Sequence, residues 1–103
     1  GDFVAQANEV RNDMDIPTSI MQIAASRVSK KHAYSVLLHA DPYPFPKAVE
    51  AGMIDELVDE ASFESRIMEK AADLATLGHP HYKKTKNAYI ADDVRIIKPL
   101  IVK

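Results

Sequence analysis

Apolar and polar positions along this chain follow two different periods. FVAQA (3–7) alternates, with Phe3, Ala5 and Ala7 on one side and Val4 and Gln6 on the other, which predicts a short strand. A polar stretch, NEVRNDMDIP (8–17), comes next, and after it the period changes. Pro17 suits the first helical position, where its missing N–H costs nothing, and Asp15 just ahead favours the positive end of a helix. Ile20, Ile23, Ala24 and Val28 recur at three and four residues, predicting a helix through Arg27. Ser29 reads as the cap of a second helix, with Ala33, Val36, Leu37 and Ala40 turned inward.

DPYPFP (41–46) interrupts this pattern. Three prolines in six residues fix φ and remove donors, predicting a stiff extended loop. KAVEAG (47–52) then predicts a short helix ended by Gly52, and MIDELV (53–58) a short extended piece. Ser62 can cap a third long helix with the apolar face Phe63, Ile67, Ala71, Leu74 and Ala75, which Gly78 closes. Pro80 opens a final helix carrying Ile90, Val94, Ile97 and Ile101, and Pro99 should kink or end it near Lys98. There are no internal repeats. The expected class is mainly α with one or two short strands.

Composition narrows the function classes. A length of 103 residues predicts a single domain, 1–103, with a modest core, and a chain of this size buries about two-thirds of its unfolded surface. Oligomerisation would add stability. With 47% apolar and 27% charged residues the chain reads as a soluble folded protein. Its net charge of −2 gives no global field to recruit nucleic acid or an anionic membrane, so neither is expected as a partner. Cysteine is absent, which excludes disulfides, thiolate metal sites and thiol nucleophiles and suits a cytoplasmic location. No run approaches the roughly 18 apolar residues of a membrane span. The first residues, GDFVAQANEV, lack the basic start of a signal peptide. A chain that opens straight into a strand reads as if something precedes it.

One constellation is distinctive. The proline loop, KAVEAGMIDELVDE, a capped helix and HYKKTKNA come in an order that resembles the C-terminal part of the crotonase superfamily, the enoyl-CoA hydratases and isomerases. The family segment A-x-x-x-G-h-[IV]-D-x-[VL]-[VI] is matched by Ala48, Gly52, Ile54, Asp55, Leu57 and Val58, and its T-K pair by Thr85-Lys86. The resemblance covers roughly residues 3–98. In the isomerase branch "NE" ends a strand and a proline eight residues after the glutamate begins a helix, as Asn8, Glu9 and Pro17 do here. The typical hydratase reads "PE" followed by a glycine-rich turn, and this chain has neither. The resemblance thus implies the C-terminal helical portion of a crotonase-type fold, nearest the enoyl-CoA isomerases, acting on a coenzyme A thioester as substrate with no tightly bound cofactor.

By the same resemblance Glu9 is the catalytic acid/base. Moving a double bond from the 3,4 to the 2,3 position needs a proton taken from C2 and delivered to C4. One carboxylate between those carbons can do both if an apolar pocket raises its pKa, while N–H donors stabilise the dienolate oxygen. Lys83, Lys84 and Lys86, beside His79 and His81, crowd the start of the last helix and would lie near the coenzyme A phosphates, Lys86 alone matching the family position. A solvated basic face is the plainer reading of that cluster. His79 and His81 without a carboxylate cluster or cysteine form a weak metal set. His32 and His39 read as structural or solvated, and no nucleophile-elbow pattern occurs. Asp55 reads as fixing the turn into the next helix. Four dispersed tyrosines make no nucleic-acid stacking platform, and Tyr82 and Tyr89 suit core or interface packing.

Two departures qualify the expectation. Asp13 stands where the family has a glycine four residues after the glutamate, although Asp tolerates left-handed backbone. The family domain is also more than twice this length, and its N-terminal half holds the oxyanion-hole amides and most coenzyme A contacts. Catalysis would therefore need a complementary N-terminal chain or half. The family's trimer-based homo-oligomers make Ile90–Ile101 the candidate interface. Two alternatives remain: a non-catalytic helical interaction module derived from a crotonase, and an acyl-CoA or anion binder without turnover.

Overall fold

The computed structural model describes residues 3–101. Within them lie two minimal strands and six helices. Strand β1 (Val4–Ala5) pairs antiparallel with β2 (Tyr43–Pro44), with Val4 opposite Pro44 and Ala5 opposite Tyr43. The helices are α1 (Thr18–Arg27), α2 (Lys30–Ala33, running on as a π-helical turn Tyr34–Leu38), α3 (Phe45–Ala51), α4 (Phe63–Ala75), α5 (Pro80–Tyr89) and α6 (Ala91–Ile101). The expected strand 3–7 shrinks to two residues because its partner is the proline loop. Pro44 and Pro46 lack the N–H groups that would extend a ladder.

Pro17 sits one position earlier than expected, at the cap of α1 (φ −54°, ψ 138°), where its carbonyl accepts from Met21 N–H at 2.9 Å. Val36, Leu37 and Ala40 are buried as their spacing predicts. The segment is not regular helix, however. His39 N–H donates to Tyr34 O and Asp41 N–H to Ser35 O, widening the last turn until Ala40 reverses it at φ 52°. Val28, Val36, Leu37, Tyr43, Ala48 and Ala51 form the core, with Ala5, Ala7, Ile16, Ala24, Met53 and Ile54 packed around it.

The family-like segment 48–58 builds one joint. Ala48 and Ala51 are completely buried, which lets α3 approach closely. Gly52 turns left-handed (φ 84°) and donates to the carbonyls of Ala48 and Val49. A Cβ there would lie 2.6 Å from Arg27 O. Ser29 N–H donates to Ala51 O at 2.9 Å, and the Arg27 guanidinium pairs with Asp55. Arg27 is therefore held by its backbone on one side and by its side chain on the other, and Asp55 has the structural place expected of it. MIDELV forms bends rather than a strand, because Met53 and Ile54 N–H both turn back to Ala48 O.

Beyond residue 60 the expectations need more correction. Ser62 ends a 3-10 turn (Glu60–Ser62) and makes no side-chain cap; its carbonyl accepts from Ser65 Oγ instead. α4 ends at Ala75, with Thr76 and Leu77 in a turn before Gly78. Its apolar face is exposed, with Phe63, Ile67 and Leu74 all open to solvent. The single final helix divides at Ile90 (φ −96°, ψ 6°) into α5 and α6. Pro99 does not end α6, which runs to Ile101. Its ring forfeits one helical bond without stopping the helix. α6 packs on α1, where Gln22 Nε2 donates to Asp93 Oδ1 at 2.8 Å.

The chain is open in shape. Its radius of gyration is 16.3 Å, where a compact chain of this length would have about 13 Å. It exposes 8392 Å², against about 5,800 Å² for a compact monomer of its mass. The expected two-thirds burial is not reached: about half of the extended-chain surface is covered. No helix among the described residues is long and apolar enough to cross a membrane.

Candidate functional site

Glu9 stands four residues beyond β1, at the mouth of a tight turn. It has helical backbone angles (φ −57°, ψ −50°), and the 3-10 turn Val10–Asn12 follows. Its carbonyl accepts from both Asn12 and Met14 N–H at 2.9 Å. Asn12 Nδ2 donates to Asn8 O, so the turn also grips the residue before Glu9. Asp13 reverses the chain at φ 56°, ψ 37°, the left-handed conformation that its short polar side chain tolerates. The turn therefore survives without a glycine.

Glu9 is half-buried, and its Oε2 is cut off from water with no hydrogen-bond partner among the described residues. A shielded carboxylate oxygen with nothing to accept from is costly in a folded chain. Asp13 and Asp15 point to solvent, as does Met14. Two apolar hollows flank the core residue Leu37. One, of about 380 Å³, is lined chiefly by Val10, Ile16, Met21, Leu37 and Leu38 with Asp15 and Thr18. The other, of about 260 Å³, is lined by Ala7, Ile23, Ala24, Val28, Val36 and Met53 as well as Leu37 and the Arg27 side chain. Glu9 lines neither hollow; Val10, its neighbour, lines the first and Ala7, two residues before it, lines the second.

A polar chain runs behind the turn, joining residues that sequence reading left apart. Asp41 can only accept when ionised, which sets the direction of the bonds. Ser35 Oγ donates to Asp41 Oδ2 at 2.7 Å, and Tyr43 Oη to Ser35 Oγ at 2.9 Å. His32 Nδ1 then donates to Tyr43 Oη at 3.0 Å. From the other side Arg11 Nη2 donates to Asp41 Oδ1 at 3.0 Å. The Ser35 hydrogen bond, opposed in part by lost water and helped by the Arg11 hydrogen bond and charge, holds the Asp41 carboxyl below its ordinary 3.8. His32 was expected to be structural or solvated, and it is structural. No spacing in the sequence relates Arg11 to a carboxylate thirty residues away.

The lysines lie elsewhere. Lys83, Lys84 and Lys86 are exposed on α5. No hydrogen bond or ion pair among the described residues links them to the Glu9 turn. His79 caps α5, its Nδ1 accepting from Tyr82 N–H at 3.3 Å, and its ring lies 5.7 Å from that of His81. That cap gives His79 a structural role. The expected interface Ile90–Ile101 is divided: Ile90 and Ile97 are half-buried where α6 packs on α1, whereas Val94 and Ile101 are exposed.

This architecture, a mainly helical unit with two minimal strands, is matched by solved structures. An enoyl-CoA hydratase from Mycobacterium marinum superposes with a TM-score of 0.84 and 28% identity, over 93% of this chain and 43% of that one. A probable enoyl-CoA hydratase from Mycobacterium tuberculosis H37Rv gives 0.83 and 30%, over 91% and 40%. An apo structure of that same Mycobacterium tuberculosis protein, there described as an enoyl-CoA isomerase, gives 0.83 and 30%, over 91% and 42%. No family model and no curated protein matches the chain. The likenesses support the crotonase superfamily, and the fold is the helical portion of a crotonase-type fold. The chain spans about two-fifths of the length of the structures it matches.

Proposed function

We propose that this chain is the C-terminal part of an enoyl-CoA-processing protein in which Glu9 moves a proton along an enoyl thioester. The observation that carries the reading is the shielded Glu9 carboxylate oxygen, which no group among the described residues satisfies, four residues beyond β1 on a fold shared with structures described as enoyl-CoA hydratases, one of them also as an isomerase. In an isomerisation Glu9 takes the C2 proton of a 3-enoyl thioester, the electrons shift through the dienolate, and Glu9 returns a proton to C4. The N–H donors for the thioester oxygen come from the complementary N-terminal half. Asn8-Glu9 favours isomerisation over hydration. Lys83, Lys84 and Lys86 face the phosphates of coenzyme A.

The extent of exposed surface supports a companion. The excess over a compact monomer, about 2,600 Å², exceeds the roughly 800 Å² that one partner buries in a standard interface. An N-terminal half, further copies in a trimer-based assembly, or both would cover it. The exposed α4 face also favours a second reading, a helical interaction module without chemistry. Turnover of 3-enoyl-CoA by the assembled protein separates the two. Glu9→Gln, which keeps shape and loses the base, is expected to lower kcat by about 10²–10⁴-fold. Unchanged activity in that variant removes the acid/base assignment.

A further inference from the structure

We propose that Arg11 is the positioning residue of the Glu9 turn, a role that rests on the Glu9 reading above. Oε2 of Glu9 has no partner, so no hydrogen bond at that oxygen aims the carboxylate. Its direction is set by the backbone turn, whose closing donors, Asn12 and Met14 N–H, both bind the carbonyl of Glu9 itself. That turn is a closed local loop with an exposed surface. Among the described residues Arg11 is the one within it whose side chain hydrogen-bonds to the rest of the fold. Its Nε donates to His39 O at 2.9 Å and to Ala40 O at 3.1 Å, while Nη2 donates to Asp41 Oδ1 at 3.0 Å.

The socket is built to receive a fork. The left-handed turn at Ala40 ends the π-helical segment, and the carbonyls of His39 and Ala40 lie within reach of one guanidinium nitrogen. Gln6 Nε2 also donates to Ala40 O, at 2.8 Å, so the strand leading into Glu9 is docked on the same carbonyl. Asp41 is steadied from behind by Ser35, which is backed by the fully buried Tyr43 and by His32. A planar guanidinium can meet the two carbonyls and the carboxylate together, whereas an ammonium offers one point charge. Arg11 stands two residues from Glu9, so releasing it lets the Glu9 backbone drift without touching the carboxylate.

The test compares Arg11→Ala, Arg11→Lys and Asp41→Asn with the unchanged protein in its assembled state. Three readouts are taken: exchange of the Asn12 and Met14 amides, carbodiimide labelling of the Glu9 carboxyl, and kcat and KM on a 3-enoyl-CoA. In Arg11→Ala the two amides exchange and Glu9 labels about 10-fold faster, while α6 amides are unchanged. The same variant loses about 10–100-fold in kcat with KM nearly constant, because a displaced base costs rate rather than binding. Arg11→Lys recovers only part of each. If Arg11→Ala does not fold, Arg11→Lys and Asp41→Asn report on the same amides and the same carboxyl. Glu9 labelling and loop exchange unchanged in every variant overturn the proposal. A loosened turn together with an active Glu9→Gln protein leaves the clamp standing and removes the acid/base reading instead.

Discussion

Gly52→Ala tests the joint on which the site stands. Gly52 has φ 84°, where an alanine is disfavoured by about 1–2 kcal/mol. The added Cβ would also come within 2.6 Å of the Arg27 carbonyl oxygen, a backbone atom that cannot swing aside like a side chain. Relief means moving α3 away from the end of α1, which threatens the Ser29 N–H to Ala51 O bond, worth a further 1 kcal/mol or so. The expected loss is about 2–3 kcal/mol, a large share of the 5–15 kcal/mol typical of a domain. For a domain of this length it corresponds to a fall in Tm of about 10–20 °C. Urea and thermal unfolding of the purified protein, followed by circular dichroism, measure it. Gly78→Ala is the control, since its Cβ would meet only Ala75 O at 3.2 Å without a positive φ. If both variants unfold within about 0.5 kcal/mol of the unchanged protein, the close approach at Arg27 is not a structural constraint and the reasoning fails.

Three further outcomes are expected. Tyr43→Phe removes the hydroxyl between His32 and Ser35 and should cost about 1 kcal/mol in urea unfolding, visible also as a lost His32 shift perturbation in NMR. Because the folded chain holds the Asp41 carboxyl below 3.8, its contribution is complete above that value and disappears as pH falls through the lower folded one; Asp41→Asn should therefore lower stability near neutrality and flatten its dependence on pH in that acid window, as urea unfolding across pH would show. Replacing Lys83, Lys84 and Lys86 together with alanine should weaken acyl-CoA binding about 10-fold at low salt, and less at high salt. Calorimetric titration at two ionic strengths would show it, and equal affinity in both proteins would return these lysines to a solvated face.

Much of the fold was legible one segment at a time. The helix through Arg27, the inward set Val36, Leu37 and Ala40, and the left-handed Gly52 all follow from spacing and residue type, because local sterics and burial of one face decide them. The segment from Ala48 to Val58 carried the family resemblance, and the structure supplies its physical reason: small buried alanines, a glycine under a carbonyl, and an aspartate on the same arginine. The errors fall where a neighbour overrides local preference. The strand shortens because its partner is proline-rich, and MIDELV bends because its amides return to Ala48 O.

The sequence by itself determined where most of the helices lie, the left-handed turn at Gly52, and that Glu9 follows a strand and precedes a turn. Those are near-neighbour properties, set by periodicity, by φ preferences and by the chemistry of single side chains. Tertiary structure alone decided that Glu9 Oε2 lies out of water without a partner, that Arg11 meets the carbonyls of His39 and Ala40 and the carboxylate of Asp41, and that α6 rests on α1 while the apolar face of α4 stays uncovered. Each of these depends on which distant backbone closes over which side chain, and no spacing along a single chain encodes that directly.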